Sequence, residues 1–245
     1  MYRGQPFQGD LEKCHKQKEI MDLSDLATSP RQPNAAQVTV SKGIRGWSGF
    51  VMHSWDALDA IDLRPAGAVT AAFLRLEASD LQSAAKHVSS VPYGRNTHPD
   101  YPLIVLSEGH GTCSTKHALL RRLAIEQHLD IALVLGIYEM AEQNTPGVGA
   151  VLHKHGLAIL PEAHCYLRAA GKRIDVTREI DQVHAEAISR FLHEEDIDPA
   201  QITDYKTALH KQFLSKWIAE NGGLGGRSLA DVWNIREECI ASLSK

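Results

Sequence analysis

Three short segments concentrate the side chains that could do nucleophilic chemistry: Gly109-His110-Gly111-Thr112-Cys113-Ser114, Glu162-Ala163-His164-Cys165-Tyr166 and Lys172-Arg173-Ile174-Asp175-Val176-Thr177. Thr112 is a good N-cap, which sets Cys113 at the first position of a helix. A sulfur there lies beside unpaired N–H groups and the positive end of the helix dipole, a field that favours the thiolate, the nucleophilic form. His164 and Asp175 flank an expected hairpin at Ala169-Ala170-Gly171. A two-residue loop at Ala169-Ala170, or a four-residue loop at 168–171, puts them directly opposite each other, with their side chains on one face. An Asp so placed accepts the imidazole N–H, fixes the tautomer and leaves the other ring nitrogen for a thiol. Nucleophile, base and orienter are the set that cysteine acyl chemistry needs. Cys165 points to the opposite strand face and reads as a core thiol.

Certain elements must position these groups. Residues 69–76 read as an apolar strand, and Ser79-Asp80 opens a helix to about Ser90, with Leu81, Ala84, Ala85 and Val88 at helical spacing. Pro92-Tyr93-Gly94-Arg95-Asn96 stops that helix and begins a long loop up to Thr112. The helix from Cys113 is expected to run to about His128, carrying Leu119, Leu120, Leu123 and Ala124 inward. Residues 131–138 then form a continuous apolar strand of buried type. Two more strands are expected at 151–159 and 162–167, and a third at 173–177 after the hairpin turn. Beyond Thr177 the pattern turns helical: 180–194, then 203–220 with Tyr205, Leu209, Phe213 and Trp217 as a packing stripe. Ser228-Leu229-Ala230-Asp231 caps a last helix to Leu243.

The order Cys–His–Asp, on a helix N-terminus followed by two antiparallel strands, resembles the transglutaminase-like superfamily of papain-type folds. Gly111-Thr112-Cys113 resembles that family's G-x-C, His164-Cys165-Tyr166 its His with an aromatic two places on, and Asp175-Val176-Thr177 its D-x-T. The likeness covers roughly 68–180. It implies Cys113 as nucleophile, His164 as general base then acid, and Asp175 as orienter. It also implies an α+β papain-like core, the Cys-bearing helix packed on an antiparallel sheet. The chain departs from animal transglutaminases, with Ser114 and Tyr166 where they carry Trp, and nothing resembles their calcium sites. The expected organisation is an N-terminal arm at 1–42, the catalytic core at 43–180 and a C-terminal helical region at 181–245.

The expected activity is acyl transfer or amide hydrolysis through a thioester on Cys113, with a peptide, protein or small amide as substrate and no cofactor or metal. A second oxyanion donor is needed beside the Cys113 N–H, and Trp47, Trp55 and Asn96 are candidates. Alternatives are an inactive transglutaminase-like binding module, or an enzyme like the arylamine acetyltransferases, which also use Cys–His–Asp. The histidine groups His153/His155 and His110/His117/His128 invite a metal, but no zinc-type spacing accompanies them.

Composition narrows the partners. The chain has 245 residues, 43% apolar and 23% charged, as a globular protein does. With 26 Lys+Arg against 30 Asp+Glu it offers no basic field for nucleic acid. Its longest apolar runs fall short of the ~20 residues a membrane helix needs, so no membrane partner is expected. No apolar leader begins it, and Cys14, Cys113, Cys165 and Cys239 form no CxxC, so a cytoplasmic setting is expected.

Overall fold

The computed structural model describes residues 54–178, 186–188 and 190–243. The expected N-terminal arm, Trp47 and Cys14 lie outside them. The fold is α+β. Four antiparallel strands, β1 (Ile131–Met140), β2 (Leu160–Ala169), β3 (Lys172–Ile174) and β4 (His193–Ile197), lie in the order β3-β2-β1-β4. Around them pack α1 (Ala68–Arg75), α2 (Leu81–Ser90), α3 (Ile104–Glu108), α4 (Cys113–Glu126), α5 (Gly149–Lys154), α6 (Asp204–Glu220) and α7 (Leu229–Ser242). No helix among the described residues is long and apolar enough to cross a membrane.

Strand alternation divides the interior. Leu133, Leu135 and Ile137 of β1, with Ala163, Cys165 and Leu167 of β2, face Leu119, Leu120 and Leu123 of α4 together with Val69 and Phe73 of α1 and Val88 of α2. Tyr138 and Met140 of β1 and Leu160 of β2 belong to a second cluster with Leu152 of α5, Leu214 of α6 and Val232, Ile235 and Cys239 of α7. Pro161 lies inside β2 rather than breaking it.

Three elements differ from the sequence expectation. The run at 69–76 is α1, not a strand. Val69, Thr70, Ala72 and Phe73 are buried and Ala71 and Arg75 exposed, a helical alternation. Its first turn is held by Glu126 at the far end of α4, whose carboxylate accepts from the Val69 N–H (3.0 Å), the Thr70 N–H (2.6 Å) and the Thr70 hydroxyl (2.6 Å). The expected strand at 151–159 is instead the short helix α5. Glu142 accepts from the Gly147 and Gly149 N–H groups at its start. Within the expected helix at 180–194, residues 180–185 and 189 lie outside the description, and His193 already begins β4. This edge strand is charged because its partners are: Arg168 reaches Asp196 at 2.6 Å and Arg173 reaches Glu194 at 2.9 Å. A row of charges also guards an open sheet edge.

Gly136 of β1 stands opposite His164 in the β1–β2 register. A Cβ on it would lie 2.3 Å from Cδ1 of Phe191, so the ring occupies the space a side chain would need. Phe191 in turn packs on Tyr138 and Tyr166, which flank His164 on that face. Gly136→Val should therefore overpack this layer and cost about 1–3 kcal/mol. A urea titration should read the cost as a lower midpoint at unchanged slope, and an unchanged midpoint would contradict the wedge.

Candidate active site

Thr112 caps α4 as the sequence predicts, and Cys113 is the first helical residue. The cap is reciprocal: the Thr115 N–H donates to Thr112 Oγ1 and the Thr112 N–H donates to Thr115 Oγ1. Thr115 then donates to Asn96 Oδ1 at 2.7 Å, which ties the cap to the preceding loop. That loop closes on itself, with the Gly94 N–H on the Gly111 carbonyl and the Gly111 N–H on the Pro92 carbonyl. Tyr93 is thereby fixed beside the start of α4.

His164 and Asp175 meet, by a route other than the expected one. The hairpin turn is Ala170-Gly171, both with positive φ (48° and 74°), as a type I′ turn requires. Ala169 pairs with Lys172 and Leu167 with Ile174. Continued, this register sets Asp175 opposite Tyr166 and His164 opposite Thr177, so direct opposition of the pair is corrected. Asp175 is instead the diagonal neighbour of His164 on the same face, within reach of a long side chain. His164 Nε2 lies 2.7 Å from Asp175 Oδ2. The other carboxylate oxygen accepts from the Thr177 N–H at 2.9 Å, and the Asp175 N–H donates to the Ser54 hydroxyl at 2.6 Å. With Nε2 engaged, Nδ1 is the ring nitrogen left for the Cys113 sulfur, which lines the same small cavity.

The charges reinforce one another. Burial alone would raise the Cys113 thiol, but the ammonium of Lys206, the His164 imidazolium and hydrogen bonds from His164 and the Cys165 backbone bring it down to about 6. Burial would lower His164, but the Asp175 carboxylate and the Cys113 sulfur opposite it raise it to about 10. Asp175 resists its own burial because His164 holds its carboxyl well below the usual range. Both directions favour the thiolate–imidazolium form of the pair over the neutral one.

His117, a metal candidate in the sequence, is a strut for this geometry. One turn beyond Cys113 and fully buried, it accepts the Val176 N–H on Nε2 (2.9 Å), so its proton sits on Nδ1 and donates to the Cys113 carbonyl (2.7 Å). Burial lowers it to about 4, so it stays neutral beside Asp175. It thus links α4 to the segment after β3 that carries Asp175.

Several groups at the site carried no sequence signal. Lys206 of α6 is buried, with Nζ 2.7 Å from Ser114 Oγ and 3.7 Å from Cys113 Sγ. The stripe α6 buries is Lys206, His210 and Leu214, one residue on from the expected aromatic stripe. Leu209, Phe213 and Trp217 are half-buried packing residues, and Tyr205 is exposed. Glu162 of β2 forms a two-pronged ion pair with Arg236 of α7, which also holds Glu237. The pair keeps Glu162 ionised, at about 2, against its burial. Two cavities open on the sulfur. One, of about 150 Å³, has Lys206, Ser114, Thr207, Trp233 and Arg236 in its wall. The other, of about 50 Å³, has His164, Asp175, Tyr138, Asn144 and Thr145. Tyr93, Cys113 and Glu162 line both.

The remaining candidates lie elsewhere. Asn96 spends both amide hydrogens on Glu108 Oε2 and the His110 carbonyl, so it has none for an oxyanion. Trp55 packs against the α4-side core with Lys86 Nζ over its ring and lines neither cavity. His153 and His155 are on and just after a helix rather than sharing a strand face, and His155 faces Glu238. His110 bonds the Glu108 and Arg95 carbonyls. Among the described residues no three His, Cys, Asp or Glu gather as a metal-holding group.

Two measurements follow from this geometry. Site-resolved alkylation with iodoacetamide should find Cys113 reacting with a midpoint near pH 6, because the thiolate forms as pH rises through that value. Cys165, whose burial pushes it up to about 11, should stay inert over the same range. A Cys113 midpoint near 9 would refute the ion pair. His117→Ala leaves the Val176 N–H without its partner and should lower stability by about 1–3 kcal/mol, read in denaturant, and a neutral result would remove the strut.

No family model, no curated protein and no solved structure matches this chain.

Proposed function

We propose that this chain is a cysteine-dependent acyltransferase or amidase of the transglutaminase-like, papain-type kind. The observation that carries the reading is the gathering of three groups at one cavity. Cys113, at the N-terminus of α4, lines it together with His164, whose Nε2 is 2.7 Å from Asp175. The antiparallel sheet behind that helix and the order Cys–His–Asp along the chain support it further. So do two cavities that give small acyl compounds access to an otherwise buried sulfur.

In this mechanism the Cys113 thiolate attacks the carbonyl carbon of an amide. The S–C bond forms and the carbonyl π pair moves onto oxygen. Collapse of the adduct restores the carbonyl and breaks the C–N bond, and the departing amine takes its proton from His164. A thioester remains. Water or a second amine then attacks it, giving its proton back to His164 while sulfur leaves as thiolate. Asp175 keeps the ring oriented with Nδ1 toward sulfur and stabilises the imidazolium at both stages. The helix N-terminus supplies backbone N–H groups to the oxyanion.

The test uses p-nitrophenyl acetate as acyl donor and intact-mass spectrometry as readout. An acetyl adduct on Cys113, absent in Cys113→Ala, supports the reading. Asp175→Asn should slow acylation by roughly a hundredfold or more, because the tautomer is lost while the cavities remain. Absence of any adduct across pH 6–10 would sink the enzyme reading in favour of a binding module.

A further inference from the structure

We propose that Lys206 is a further catalytic residue: its buried ammonium is a second counter-ion of the Cys113 thiolate and the charged donor to the oxyanion formed when an acyl group is attacked. The inference rests on the reading of Cys113 as the nucleophile and adds a group from outside the Cys–His–Asp set.

The geometry carries it. Lys206 is only 9% exposed, and a long cation is rarely buried to that degree without a partner. No carboxylate of the described residues pairs with it. Its contacts are the Ser114 hydroxyl at 2.7 Å and the Cys113 sulfur at 3.7 Å. The acidic group in contact with this buried charge is therefore the sulfur, with Glu162 acting from farther off. An ammonium has three hydrogens. Two are accounted for by Ser114 and the sulfur, so the ammonium keeps a third donor, and Lys206 lines the larger cavity beside Cys113, Tyr93 and Arg236.

The titratable groups around this pair are Tyr93 in the loop before α4, His164, Glu162 and Cys165 on β2, Asp175 after β3, Arg236 on α7 and His210 on α6 itself. Glu162 is occupied by Arg236. His164 is occupied on its far side by Asp175. Burial disfavours the ammonium, yet the Cys113 sulfur, Cys165 and Glu162 raise Lys206 above its ordinary value. It stays charged.

The division of labour then follows the charge. As Sγ bonds to the carbonyl carbon, the sulfur loses its negative charge and the π pair creates one on oxygen, a bond or two away. Lys206 donates a hydrogen bond to that oxygen and keeps its proton, while His164 protonates the leaving group from the other cavity. When the C–X bond breaks, the carbonyl is restored and Lys206 faces a neutral thioester. A buried ammonium without a counter-ion is costly. The acyl-enzyme is therefore raised relative to the free thiolate, which drives the second attack.

The experiment compares the intact chain with Lys206→Met, Lys206→Gln and Lys206→Arg. Cys113 is alkylated across pH 5–9 with neutral iodoacetamide and with anionic iodoacetate, and acetylated with p-nitrophenyl acetate. In Lys206→Met the alkylation midpoint should rise from about 6 by roughly one unit or more, which at pH 6.5 is a loss of rate of about threefold or more. Preference for iodoacetate over iodoacetamide should fall several-fold. Acetylation at pH 9, where the thiolate is formed in all variants, should drop by about 10²-fold. Lys206→Gln should repeat these losses and Lys206→Arg should restore the midpoint. A reactive Cys113 whose midpoint and acetylation rate are the same in Met, Gln and intact chains overturns the role of Lys206 and leaves the nucleophile reading standing. An inert Cys113 in the intact chain overturns both.

Discussion

A negative charge on a buried sulfur is the demand around which the rest of the site is arranged. Taking a thiolate out of water is unfavourable unless cations and oriented dipoles replace the lost solvation. Here four sources converge: the first turn of α4, the His164 ring from β2, the Lys206 ammonium from α6 and the Cys165 backbone N–H. Each of these is itself buried and so needs support. Asp175 supports His164, Ser114 orients Lys206, and the Thr112–Thr115 cap fixes the helix end. The polar groups of this region are thus linked through one centre.

His117 shows how rigidity is obtained where charge would be harmful. A charged side chain one turn beyond Cys113 would either repel His164 or compete for Asp175. A neutral imidazole with one acceptor and one donor nitrogen instead spans α4 and the Asp175–Thr177 segment by two backbone bonds. The opposite face of the sheet is held by apolar packing against α4. Cys113 and Asp175 are consequently referenced to the same helix.

Much of this was legible in the residues. Thr112 before Cys113 announced the helix start because an N-cap hydroxyl has a specific backbone partner. Parity along β2 and β3 put His164 and Asp175 on one face, which survived a turn displaced by one residue because only the diagonal changed. Other parts were illegible for definite reasons. The run at 69–76 is apolar enough for a strand, and its helical form depends on Glu126, distant in sequence. His193-Glu194-Glu195-Asp196-Ile197 has no strand composition, and its form depends on Arg168 and Arg173 across the sheet. Lys206 and His210 were hidden because a search for apolar periodicity passes over a buried polar stripe.

The distance along the chain between Cys113 and Lys206, 93 residues, has a consequence for biosynthesis. Synthesis proceeds from the N-terminus, so Cys113 leaves the ribosome well before α6 exists. During that interval the sulfur lacks the ammonium and the cavity wall that α6 and α7 supply. Its surroundings are complete only when the last helices dock.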